Sequence, residues 1–171
     1  ISEYNQNPIE ESQLQGDDVY LLLEDYTIEI NQINVLINSS ELDKALELIS
    51  YLLSENENHA YFLYLKSKIY FLKGDNKTAL NEITKAIEND LNNHKYYIER
   101  AIYYEEDKNY TDALHDYNFA IKLDSLNPDN YYYRSTSYLY NEKYKEALDD
   151  YDACIRINPD ESKYYYYRSL L

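Results

Sequence analysis

The chain has 171 residues, 44% of them apolar, with two glycines, three prolines and one cysteine, and 32 acidic against 16 basic residues give it a formal charge of -16. So few turn formers exclude a strand-rich architecture and predict an all-α fold, and a lone cysteine excludes an internal disulfide or a thiolate metal cluster. The charge repels phosphate backbones and anionic lipid, and no apolar run approaches the roughly 20 residues that cross a bilayer, so neither nucleic acid nor direct membrane insertion is expected.

The first 16 residues are polar and acidic, with Pro8 and Gly16, and read as a loosely attached lead-in. Ten acids and no Lys or Arg precede Lys44, which makes this end able to steer a basic segment. Asp17 and Asp18 suit a helix start, and Val19 to Asn38 reads as one long helix. The sequence begins at Ile1 rather than Met, as an excised piece would. With only Cys154, a reducing, cytoplasmic location is expected.

From Tyr26 onward the chain falls without gaps into rows of 34 residues: 26–59, 60–93, 94–127, 128–161 and a fragment, 162–171. Ala45, Ala79, Ala113 and Ala147 fill one column, followed by Ile49, Ile83, Tyr117 and Tyr151, then by Leu52, Ala86, Ala120 and Cys154. In the first half of each row, Ile33, Ser67, Ala101 and Ser135 precede the bulky Leu36, Tyr70, Tyr104 and Tyr138. These spacings predict two short helices per row. In the fourth row the first helix carries Tyr131, Arg134, Ser135 and Tyr138 on one face, and the second carries Ala147, Leu148, Tyr151, Cys154 and Ile155. Turns are expected near Asn141 to Lys143 and at Lys73 to Asn76, and Asn158-Pro159-Asp160 closes the row because proline cannot continue a helix interior.

The string YYYRS occurs at Tyr131 to Ser135 and again 34 residues later at Tyr165 to Ser169. Successive helical residues turn by about 100°, so three adjacent tyrosines cannot share a face. Tyr131 is expected to pack on its partner helix, Tyr132 to face the inner surface, and Tyr133 to lie towards the neighbouring row.

The segments Tyr103 to Asp124 and Tyr138 to Pro159 keep both the spacing and the residue types of the tetratricopeptide repeat family, which the chain resembles from Tyr26 to Leu171. The first row departs most, with Glu29 at a bulky position and Ile33 at a small one, and is divergent or a cap. The resemblance implies a right-handed superhelical solenoid of antiparallel helix-turn-helix repeats. Its concave groove, lined by the first helix of each row, would bind a peptide or partner protein. Carried onto this chain, the lining includes Asn34, Tyr64, Lys68, Phe71, Ile98, Ile102, Tyr132, Thr136 and Tyr166. This aromatic and aliphatic mixture with a few polar groups is what interface anchors favour.

Some family members grip the acidic tails of Hsp70 and Hsp90 with a clamp of Lys, Asn, Asn, Lys and Arg. The second to fourth rows place Tyr64, Lys68, Glu99, Asp129 and Tyr133 at those positions, and the other two windows are no more cationic, so a standard carboxylate clamp is not expected.

No catalytic chemistry is expected, and no cofactor or metal. Gly16 and Gly74 cannot make a phosphate loop, His59, His94 and His115 are scattered and expected in solvent, and Cys154 stands in a small packing column as an inert thiol. Arg100, Arg134 and Arg168, with Lys66, share a column expected to pair with acids such as Asp116 and Asp150 on second helices. The expected function is therefore an interaction scaffold. A regulatory or targeting portion of a larger enzyme is the alternative. The first helix of a fifth row, cut at Leu171, would expose apolar surface and offers a route to self-association.

Overall fold

A computed structural model of the chain describes residues 26–171. Among these residues nine α-helices and no strand are found: α1 (Thr27–Asn38), α2 (Leu42–Glu55), α3 (Ala60–Leu72), α4 (Asn76–Asn89), α5 (His94–Glu106), α6 (Tyr110–Leu123), α7 (Pro128–Tyr140), α8 (Tyr144–Ile157) and α9 (Ser162–Ser169). The lead-in and the helix start expected at Asp17 and Asp18 lie outside the described residues; of the long helix expected over Val19 to Asn38, the described part is Thr27–Asn38. No helix among them is long and apolar enough to cross a membrane.

Each helix packs mainly on its chain neighbours: α1 on α2, α3 on α4, α5 on α6 and α7 on α8 form hairpins, and each second helix leans on the next first helix. The cause lies in the repeated small residues. Ala45, Ala79, Ala113 and Ala147 are fully buried, and one turn later so are Ile49, Ile83, Tyr117 and Tyr151. Small side chains let two backbones approach, and the large ones fill the space on either side. On the facing first helices Ile33, Ser67, Ala101 and Ser135 are likewise inaccessible to solvent. The result is an all-α repeat array.

The turn inside each hairpin uses one device four times. Ser40, Gly74, Lys108 and Glu142 all have left-handed backbone, with φ of 62°, 78°, 58° and 57°. That conformation ends the first helix sharply and lets the amide nitrogens beyond it bond back to the helix, as Asp75 does to Tyr70 at 2.9 Å and Lys143 to Tyr138 at 2.9 Å. Pro128 occupies the first turn of α7 behind the Asn127 cap, whose side chain accepts from the Asp129 amide at 3.0 Å. Pro159 instead lies in the connection, and Glu161 caps α9.

A ladder of ion pairs ties first to second helices. Arg100 donates through Nε and Nη2 to Asp116 at 2.7 and 2.8 Å, and Arg134 does the same to Asp150 at 2.8 and 2.6 Å. The third donor of each guanidinium reaches the preceding hairpin, at Thr84 and at Asn118. Lys66 repeats the pairing more loosely with Glu82, at 3.3 Å. Arg168 meets Asp152 at 2.8 Å, the position equivalent to Thr84 and Asn118.

Candidate functional site

A first helix sits beside its equivalents in the neighbouring hairpins, so residues 34 apart come together as rows of side chains. Between α3, α5 and α7 these rows leave a cleft of about 280 Å³. Tyr64 and Lys68 come from α3, and His94, Lys95, Ile98 and Glu99 from α5. Asn127, Asp129, Asn130 and Tyr133 come from the start of α7.

The α3 wall is aromatic with a cation folded over it. The Lys68 ammonium lies 5.4 Å above the Tyr64 ring and donates to the Tyr64 hydroxyl at 3.4 Å, one helical turn away. Tyr64 packs in turn on Tyr96, 5.2 Å between centroids, and burial raises its hydroxyl pKa.

The α5 wall carries a carboxylate. Glu99 is half-buried and accepts from the Tyr103 hydroxyl at 3.3 Å, while Ser67 Oγ stands 3.3 Å from that same hydroxyl. Loss of solvent raises the Glu99 pKa above the ordinary value, and the charge of Lys68 with the hydroxyls of Tyr103 and Tyr64 only partly opposes this.

At the α7 end the polar groups already have partners. Asp129 accepts from Lys163 at 3.4 Å and from the Tyr164 hydroxyl at 3.3 Å, both on α9. Asn130 is 1% exposed, and its amide nitrogen donates to the carbonyls of Ala120 and Asp124 at 3.2 and 2.8 Å. Its oxygen must then accept from His94 Nδ1, 2.9 Å away, which assigns that ring proton.

Of the lining residues expected from sequence, the cleft brings together Tyr64, Lys68 and Ile98. The others are placed as follows. Asn34 is exposed on α1, and Phe71 stacks on Tyr103 at 4.5 Å. Ile102 packs at the edge of the core, and Thr136 bonds back to the Tyr133 carbonyl. Tyr132 is packed among Tyr151, Tyr164 and Tyr167, with ring centroids 5.7 to 6.3 Å away, whereas Tyr166, its equivalent on α9, is 60% exposed.

Glu99, Asp129 and Tyr133 line the cleft too, at positions that the sequence marks as short of the charge a cationic clamp needs and, for Tyr133, as turned towards the neighbouring row. The column of Phe62, Tyr96, Asn130 and Tyr164, every member at most 2% exposed, was not expected from sequence. Histidines also depart from expectation. Only His115 is exposed, whereas His59 is buried with its ring stacked on Phe62 at 4.2 Å, and His94 is half-buried in the Asn130 network. Cys154 is fully buried, with burial pushing its thiol up to about 12. Among the described residues, no group of three or more His, Cys, Asp or Glu is arranged to hold a metal ion.

Residues 128–161 match the family model described as the tetratricopeptide repeat. A search of curated proteins by sequence found no match. Solved structures similar to the chain include MamA, with a TM-score of 0.70, 20% identity and coverage of 81% of each chain. The first TPR of Spaghetti (RPAP3), solved with the HSP90 peptide SRMEEVD, has a TM-score of 0.60 and 25% identity over 65% of this chain and 90% of that one. The Arabidopsis OM64 TPR domain gives 0.58 and 24%, over 64% and 91%.

Proposed function

We propose that the chain, which is a tetratricopeptide repeat protein, is an interaction scaffold that seats a peptide segment of a partner protein in the cleft between α3, α5 and α7. The observation that carries this reading is the cleft itself: three consecutive first helices frame an open channel walled by Tyr64, Ile98 and Tyr133, with Lys68 and Glu99 as polar contacts. Apolar walls supply binding energy and a few charged groups select the partner. Partner binding in the similar Spaghetti domain, solved with an HSP90 peptide, supports a peptide ligand in general. The standard carboxylate clamp is not the mode proposed here. The five equivalent positions hold Tyr64, Lys68, Glu99, Asp129 and Tyr133, one cation against two carboxylates, and an acidic tail would meet repulsion as well as attraction.

The test is selection of peptides from a random display library on the folded chain, followed by affinity measurements on variants. Tyr64→Ala with Tyr133→Ala is expected to weaken selected peptides about ten-fold or more, a loss in the range of aromatic anchors. Tyr51→Ala, on the exposed face of α2, is expected to leave them unchanged. The reverse pattern would move binding to the outer helices.

A further inference from the structure

Buried acids on the second helices of this molecule all have cationic partners. Glu82 meets Lys66 and Lys85, Asp116 meets Arg100, and Asp150 meets Arg134. Two acids on the first helix α5 do not. Neither Glu99 nor Glu105 has a cationic nitrogen within 4.0 Å among the described residues, although both are half-buried. Glu105 lies beside the hydroxyls of the fully buried Tyr117 and Ser137, which favour its charged form without supplying a counter-charge. Burial raises the pKa of both carboxyls.

An ionised carboxylate that has given up water without gaining a counter-charge is held at a free-energy cost, and an arriving cation removes that cost as it binds. Beside Glu99 the cleft is lined by Tyr64, whose ring already has the Lys68 ammonium over it, and by Tyr133, an aromatic ring of the kind that attracts cations, and the whole chain carries a charge of -16 that draws basic segments to it. Lys68, whose charge favours the Glu99 carboxylate, is engaged with Tyr64 and leaves that carboxylate outside ion-pair distance. Lys95 also lines the cleft but is exposed, so it has lost little hydration for an acidic ligand to restore.

Building on the peptide-binding reading, we infer that the occupant of the cleft is a basic peptide segment, with a lysine or arginine side chain seated between Tyr64 and Tyr133 against Glu99. The selectivity of this groove is thus opposite in sign to that of a clamp for acidic tails. Arginine suits the site better than lysine, because its planar fork can both stack on a tyrosine face and donate to the carboxylate.

The test uses synthetic peptide sub-libraries, random except for one central position held as Arg, Lys, Ala or Glu, with the retained fraction quantified on the immobilised chain. Wild type is expected to retain the Arg and Lys sets about ten-fold over the Glu set, with a preference that weakens as salt is raised. Glu99→Gln is nearly isosteric, still accepts from Tyr103, and is expected to melt no lower than wild type. It should abolish the basic preference while keeping the residual, tyrosine-dependent retention of the Ala set. Equal retention of Arg and Glu sets, a preference for Glu, or an unchanged preference in Glu99→Gln overturns the inference and leaves the cleft reading standing. Retention of every set unaltered by Tyr64→Ala with Tyr133→Ala, or no retention at all, overturns the cleft reading and this inference with it.

Discussion

Replacing Arg134 with alanine tests the ion-pair ladder that joins the two helices of a hairpin. The Asp150 carboxylate is 4% exposed, and both of its oxygens accept from Arg134, so removing the guanidinium strands a buried charge. Breaking a buried pair in this way costs about 3 kcal/mol, and losing the guanidinium contacts over Tyr131 and Tyr138, each 5.7 Å from centroid to cation, adds about 0.5 kcal/mol apiece. A loss of about 4 kcal/mol is a large part of the roughly 5–15 kcal/mol that stabilises a domain. In urea melts followed by far-UV circular dichroism, with a slope of about 2 kcal/mol per molar, the midpoint should fall by about 2 M. The paired replacement Arg134→Met with Asp150→Leu removes both charges and should stay within about 1 kcal/mol of wild type.

Acidity supplies a second check. Burial already raises the Asp150 pKa against the opposing pull of Arg134, and without that pull the folded-state value rises further above the unfolded one. The folded variant then binds a proton more readily than its unfolded chain. Its penalty is full above the raised folded-state pKa and shrinks as pH falls through that value towards the unfolded one. Equal losses in Arg134→Ala and in the double variant, or a deficit that does not shrink between neutral pH and about pH 4, would refute the stranded-charge argument.

The hairpin turns allow a comparison within one molecule. Ser40→Gly, Lys108→Gly and Glu142→Gly should each stabilise by about 0.5–1 kcal/mol, and Gly74→Ala should cost about 1 kcal/mol although an added Cβ meets nothing within 4 Å, because the penalty lies in the left-handed backbone. Thermal melts of the four variants decide this, and a Gly74→Ala protein as stable as wild type would show that the turn relaxes. Cys154 should resist iodoacetamide in the folded protein and react on denaturation, since its thiol is fully buried and held at about 12; rapid native alkylation would mean that α8 opens readily.

Much of the architecture was legible because a helix face is written into the chain at fixed intervals. The alanine column and its bulky followers sit at one register in successive hairpins and are buried in each, and Arg100 and Arg134 meet Asp116 and Asp150 in the same way. The expected turns at Lys73 to Asn76 and Asn141 to Lys143 carry the left-handed residues Gly74 and Glu142. Ser40 and Lys108 do the same work without any residue preference to announce it. The cleft was only partly visible. Tyr64, Lys68 and Ile98 follow from helical register, but Asn130 looks from sequence like an ordinary polar residue after a helix cap. Its burial depends on two carbonyls near the end of α6 and on a histidine 36 residues away.

The tyrosines mark the division most clearly. Repetition in the chain was enough to establish that YYYRS lies within a helix and that its three rings point in different directions, because that follows from 100° per residue. It could not say which rings vanish from solvent. Tyr164 is 1% exposed while Tyr165 and Tyr166 are 44% and 60% exposed, and Tyr132 is half-buried with Tyr164 and Tyr167 of α9 packed against it. Periodicity is a property of each helix and is carried by local sequence. Burial, and with it the choice of which carboxylates find a cation, depends on side chains contributed by neighbouring hairpins, and only their packing decides it.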